Sequence, residues 1–343
     1  MEETSLISKL ESSDSRGLHS LYTHYLQPFS DLTNPKKTKR SARANDDQKT
    51  LARSLAKKFL PFLNRALGIL PKRLADRTKF GGDGDGEQLA LEFFDIYRLC
   101  LDCLGSVSSQ LLCKPYSVHV QRVRMVHCLE AWGRLKDAEA ECFWVLERFK
   151  EIDFGTKSVE SERNCLLPNA EKGGHDKEYG TLVVEIAVTL VKCLSTSQSK
   201  DGDDYRRIIR LVEELRPWFR VLDASTYEKL HRVLVTYLGR CAIFVVGEPA
   251  FADEDLARSF CFTTMAEYAM SSNKDDIYKF ARRICFSLFS LQDSTATFII
   301  DLLICVLDSL AHEGKIVDDA SDIVYRPSGL FAKPPPRNRN WVP

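Results

Sequence analysis

The stretch that most restricts what this chain can fold into is GRLKDAEAECFWVLERF at 133–149. Leu135, Ala138, Cys142, Leu146 and Phe149 fall at spacings of three, four, four and three, which is one face of an α-helix. Phe143, Trp144 and Val145 widen that face beyond a single stripe. A helix on the outside of a globule needs one apolar stripe. A helix apolar over this much of its circumference must be covered from more than one side. Stacked helical repeats do this, because each helix has neighbours before and after it.

The helical period recurs along the chain. Patterns of this kind predict helices near 17–32, 48–70, 87–110, 116–132, 133–149, 179–195, 205–216, 224–246, 252–271, 274–290 and 295–312. Pro61 interrupts the second and kinks or splits it. Polar or glycine-rich stretches at 34–47, 81–86 and 199–204 read as loops. No segment alternates as a half-buried strand would, and FVVGEPAF at 244–251 is the one short stretch readable as extended. The expected fold is all-α: stacked antiparallel helix pairs forming an irregular tetratricopeptide-like (TPR-like) α-solenoid. Four segments are expected: a helical repeat region at 1–150, a loop excursion at 151–177, a second helical region at 178–312, and an irregular, disordered tail at 313–343.

TPR-type repeats pair two antiparallel helices in a unit of ~34 residues. A small residue at the turn opens the second helix, and another five positions later lets the first helix approach closely. Gly133 and Ala138 hold those positions, and Cys142 and Val145 stand where the pattern takes an aromatic and a second small residue. Met125, Val126 and Leu129 occupy the facing places in the preceding helix. Gly239 lies 106 residues after Gly133, about three repeats of ~34. No other register repeats cleanly, so a plain helical bundle is the competing architecture.

Composition narrows the function classes. Lys and Arg number 48 against 48 Asp and Glu, so net charge argues for neither a nucleic-acid nor an anionic-membrane partner, and neither is expected. The first ten residues, MEETSLISKL, are polar and acidic where a secretory signal needs an apolar core. Eleven cysteines are scattered, and Cys193, Cys241, Cys261, Cys285 and Cys305 fall within apolar helical patterns as small core hydrophobes. The most apolar run, TATFIIDLLICVLDSL at 295–310, contains Asp301 and Asp308 and reads as a buried helix, not a membrane span.

No constellation supports catalysis, a metal or a cofactor. Cys100 and Cys103 form a C-x-x-C followed by Cys113, but no second pair completes a zinc site, and both continue the stripe of Phe93, Ile96 and Leu104. Cys165 and His175 lie in one loop without a turn that would form an oxyanion hole. Asp83, Asp85 and Glu87 are too closely spaced for a calcium loop. The compact cluster Lys36, Lys37, Lys39 and Arg40 reads either as a nuclear import signal or as a solvated charge run.

Two further stretches carry a family resemblance. LESSDSRGLHSLYTHYLQPFSDL at 10–32 and SLAKKFLPFLNRALGILPKRL at 54–74 resemble the N-terminal helical-repeat region of plant separases, and GRLKDAEAECFWVLERF fits the same character. The resemblance is clearest over the first 150 residues and continues as helix pattern to about 312. Separase is the cysteine endopeptidase that opens cohesin rings at anaphase. Its His and Cys dyad lies in a C-terminal protease domain, with the Cys in a G-C-S-S-G-like turn. This chain has no such turn, so no catalytic residue is carried over and the chain is expected to be inactive alone. The resemblance implies a scaffold that binds a securin-type inhibitor or cohesin-pathway proteins, in nucleus and cytoplasm, as a truncated product or a diverged fragment. The alternative is a free-standing TPR-like adaptor that binds short peptides and is unrelated to proteolysis.

Overall fold

Gly133 reverses the chain through its backbone. The computed structural model describes residues 116–152, 165–196, 202–247, 253–271, 274–288 and 291–311, with Leu91, Phe94, Asp95 and Arg98. Helix α1 spans Ser117–Trp132 and α2 spans Leu135–Lys150. Between them Gly133 takes a left-handed φ of 86°, which costs glycine nothing and strains any residue with a Cβ. Its N–H donates to the Glu130 carbonyl and that of Arg134 to the Leu129 carbonyl, both at 2.9 Å. These two bonds satisfy carbonyls that the helix end would leave open. A connection this short makes α2 run back along α1, and the two pack together.

The chain divides into two compact units, Met1–Cys193 and Leu194–Pro343. In the first, a short helix α3 (Ala170–Gly173) and a long α4 (Lys177–Thr196) follow the pair. Helix α3 puts one helical turn inside the stretch expected to be a plain excursion, because Asn169 accepts the Glu171 N–H at 2.9 Å and nucleates it. Asp176 starts α4 in the same way, accepting from the Glu178 and Tyr179 N–H groups at 3.0 and 3.2 Å. The start of α4 docks through aromatics. Tyr179 meets Tyr116 and Phe149 with ring centroids 5.5 and 5.1 Å apart, and its hydroxyl donates to the Phe149 carbonyl at 2.9 Å. All three rings are buried, each contributing roughly 1.5–3 kcal/mol of transfer free energy.

The second unit contains α5 (Gly202–Phe219), α6 (Ala224–Gly247), α7 (Glu254–Ala269), α8 (Lys274–Ser287) and α9 (Asp293–Ala311). Side-chain caps begin α6 and α7: Asp223 accepts the Thr226 N–H and Asp253 the Leu256 N–H, both at 3.0 Å. The packing order decides between array and bundle. Helix α5 packs on α7, α6 on α8, and α7 on α9, while α6 and α7 also pair directly. Packing between alternate helices is what stacked helix pairs produce, and the fold is all-α of the TPR-like solenoid class. No strand occurs among the described residues.

Three expectations are corrected here. Phe244–Gly247 belong to the last turn of α6, not to an extended segment. Val245 and Val246 are buried on that helix, so the β-branched run packs as helix. Cys285 and Cys305 are exposed, not buried. Helix α8 buries Ile277, Phe280, Ala281 and Ile284, and Cys285 falls one position off that stripe. Helix α9 is covered on one side only. Ile299, Leu302, Leu303 and Val306 are buried, whereas Ile300 and Ile304 are 41% and 55% exposed beside Cys305.

By length and composition α4 and α6 could cross a membrane, yet 72% of the apolar window of α4 is buried by its own protein. A core helix passes that test on the same residues.

One half-buried imidazole makes the first unit sensitive to acid. His119 lies against the rings of Trp144 and Phe149, with centroids 5.9 and 5.7 Å away. Burial, with Arg122 and Arg148 adding to it, lowers its pKa from 6.5 to about 4. A depressed folded-state pKa means that the neutral form belongs to the folded state. Its stability contribution is complete above pH 6.5 and is lost as pH falls towards 4, at about 1.4 kcal/mol per pH unit within that window. His119→Phe should flatten this part of the pH–stability curve. Denaturant melts of both proteins at pH 7 and pH 5 check it; parallel losses would assign the acid sensitivity to other groups.

Candidate interaction surface

Of the residues singled out in the sequence, Gly133 forms the left-handed turn, and Ala138 and Cys142 are fully buried on α2. Ala138 and Cys142 pack inside the helix pair, whereas Gly133 is an exposed turn residue with open space around it. Cys128, Cys142, Cys193 and Cys261 have pKa values raised by burial, to about 11 for Cys128 and about 12 for Cys193 and Cys261. Thiols held protonated in this way are poor nucleophiles. No hydrogen bond joins Cys165 to His175, and no group of three or more His, Cys, Asp or Glu side chains assembles for a metal among the described residues. Cys100, Cys103, Cys113, the acidic loop at 83–87, Pro61, the tail from 313, and Lys36, Lys37, Lys39 and Arg40 lie outside the described residues.

Two buried charge clusters hold helices together. In the first unit, Glu141 of α2 receives Arg122 of α1 at 2.7 Å and Arg98 at 2.5 Å, and the Arg122 guanidinium lies 3.4 Å from the Trp144 ring centroid. In the second, Glu267 of α7 is fully buried. It receives Arg216 of α5 at 2.9 Å and contacts His231 Nε2 of α6 at 3.1 Å. The His231 ring stacks on Tyr227, 4.9 Å away. Glu141, Arg122, Glu267 and His231 are all buried, so these charges act within the helix packing.

An open groove in the second unit, with a pocket of about 190 Å3, lies between α6 and α8. A Cβ placed on Gly239 would lie 3.3 Å from Phe280, and one on Gly247 would lie 3.5 Å from Ser287, so α6 and α8 run side by side in the same direction. The same Cβ on Gly239 would lie 2.4 Å from the Tyr268 hydroxyl, so glycine is what admits that ring beneath α6. Tyr268 is 6% exposed and stacks on Phe280 with centroids 4.7 Å apart, forming the floor. Arg232 and Arg240 line one wall, Lys279 and Arg283 the other, and Asp276 is the one acid among the lining residues. Burial, with Asp276 adding and Arg283 opposing, raises the Tyr268 pKa to about 12, so the hydroxyl remains a donor.

Sequence reasoning did not find this site. Its cations sit on two helices some forty residues apart, and the neutral total charge conceals a local excess. The one sequence signal was Gly239, noted for its spacing and not for the ring it admits.

A family model for separase-like TPR repeats matches residues 3–288. The chain belongs to that family. The match covers both N-terminal stretches that carry the resemblance, and it continues through α8. No curated protein and no solved structure matches the chain. The α6–α8 groove lies between two helices of the matched region.

Proposed function

We propose that this chain is a non-catalytic helical scaffold that acts through protein–protein contacts in chromosome segregation. Its partners are a securin-type inhibitor or cohesin-pathway proteins. The observation that carries the reading is the separase-like repeat match over 3–288, together with the alternate-helix packing of the second unit. Helices stacked in this order present long surfaces without needing a catalytic pocket. The tagged full chain, recovered from dividing cells, should bring down a securin-type inhibitor, a cohesin subunit or a separase protease subunit. Recovery of none of these, with peptide-bearing clients of another pathway in their place, would favour the free-standing adaptor.

The basic cluster Lys36, Lys37, Lys39 and Arg40 promotes nuclear accumulation in this reading, while part of the population stays in the cytoplasm. At 39.0 kDa the chain is near the size where passive entry slows. Replacing all four with alanine should shift a large fluorescent fusion from nucleus to cytoplasm and change stability by no more than ~0.5 kcal/mol. An unchanged distribution would reduce the cluster to a solvated charge run.

A further inference from the structure

We propose that the groove between α6 and α8 binds an acidic linear peptide segment, with Arg240 and Arg283 pairing its carboxylates and the Tyr268 hydroxyl donating to one of them. The groove has the charge for it. Four cations line it against the single acid Asp276. Two of the four are already engaged at one end: Arg232 with Glu228 at 3.0 Å, and Lys279 with Asp276 at 3.8 Å. Arg240 lies over the Tyr237 ring at 5.2 Å, and neither it nor Arg283 has a carboxylate within ion-pair reach among the described residues. These two therefore form the uncompensated end.

The Tyr268 hydroxyl is the second observation. Its residue lines the pocket, and the hydroxyl sits close under α6, 2.4 Å from where a Cβ on Gly239 would lie. A phenolic hydroxyl on the floor of a cationic pocket is placed to donate to an incoming carboxylate.

The spread of charge selects the kind of ligand. Arg232 and Arg240 are eight residues apart on α6, roughly 12 Å along a helix. A small anion held by Arg240 and Arg283 would leave most of that length unoccupied. An extended peptide advances ~3.3 Å per residue, so about four residues span the groove and bring alternate carboxylates to its walls. Phe286, 71% exposed and one turn beyond Arg283, offers an apolar contact just past the cationic end. A nucleic acid would need a wider basic field than this groove presents.

This inference rests on the scaffold reading and supplies the chemistry of one partner segment. Its test needs none of the chromosome-segregation proteins, so the two fail separately. The probe is a fluorescein-labelled peptide of about twelve residues, rich in Glu and Asp with one Phe, compared with its Gln and Asn counterpart by anisotropy on the purified full chain. The acidic peptide should bind and the neutral one should not. Arg240→Ala with Arg283→Ala should weaken binding roughly tenfold or more. Tyr268→Phe, which keeps the ring in the floor, should weaken it roughly fivefold. Arg282→Ala removes an exposed cation outside the groove and should leave binding unchanged. The proposal is overturned if the acidic peptide does not bind, if Arg282→Ala weakens it as much as the groove variants do, or if a single-stranded oligonucleotide competes through the same two arginines with higher affinity.

Discussion

Glu267→Ala should destabilise the protein by about 3–5 kcal/mol, a loss typical of breaking a buried ion pair from one side. The carboxylate is fully buried and is the meeting point of three helices: α7 supplies it, α5 brings Arg216 at 2.9 Å and α6 brings His231 at 3.1 Å. Arg216 is 13% exposed, and its Nη2 is already buried without a hydrogen-bond partner. Truncating Glu267 would leave the whole guanidinium in a site with no counter-charge. Glu267→Gln keeps the shape and one acceptor, so its loss should fall between wild type and alanine. Urea denaturation of the three full-length proteins gives the ordering. A loss below ~1 kcal/mol for alanine would mean that Arg216 reaches water when released, and that the cluster contributes little. The consequence for function is direct. Helices α6 and α7 carry Arg240 and Tyr268, so loosening their junction should also blunt the groove.

How much of this was legible depends on what a helical period can encode. It encodes where an apolar face runs, and the boundaries expected for α1, α2 and α6 came close to Ser117–Trp132, Leu135–Lys150 and Ala224–Gly247. The glycine at 133 was readable for the same local reason, since a helix reversing in two residues needs a left-handed position. What the period does not encode is which side of an apolar helix has a neighbour. Helix α9 is apolar nearly all round, and the expectation that it is buried follows from its composition. Only the packing order shows that α7 covers one side while Ile300, Ile304 and Cys305 face outward. The same limit explains Cys285, one residue from the buried Ile284. The groove escaped for a second reason. A site made by Arg240 and Arg283 exists only once α6 and α8 lie side by side, and nothing local in either helix marks those arginines from Arg232 or Arg282.

Glu141 shows the limit most sharply, because it sits inside the stretch that constrained the fold. In KDAEAEC it reads as one of several solvated acids on the polar side of α2. It is buried instead, 7% exposed, between Arg98 and Arg122. Arg122 lies 19 residues earlier, on a helix whose facing residues were expected to be apolar. The ion pair belongs to the helix interface, so neither helix alone announces it. Glu141→Ala should cost about 3–5 kcal/mol, since Arg122 is 4% exposed and cannot follow its charge into water. The same argument predicts a rescue. Arg122→Met with Glu141→Leu removes both charges together and fills the space with apolar atoms of similar size, and buried pairs replaced in this way are commonly neutral or gain about 1–4 kcal/mol. Trp144 remains to cover the methionine where it now covers the guanidinium. Double-mutant melts decide the matter. If the charge-free pair is as unstable as Glu141→Ala, the cluster provides more than charge balance: the Arg98 bond to Glu141 then contributes to stability in its own right. If the pair recovers wild-type stability, the charges are dispensable for folding, and the apolar face at 135–149 is sufficient to hold α1 and α2 together.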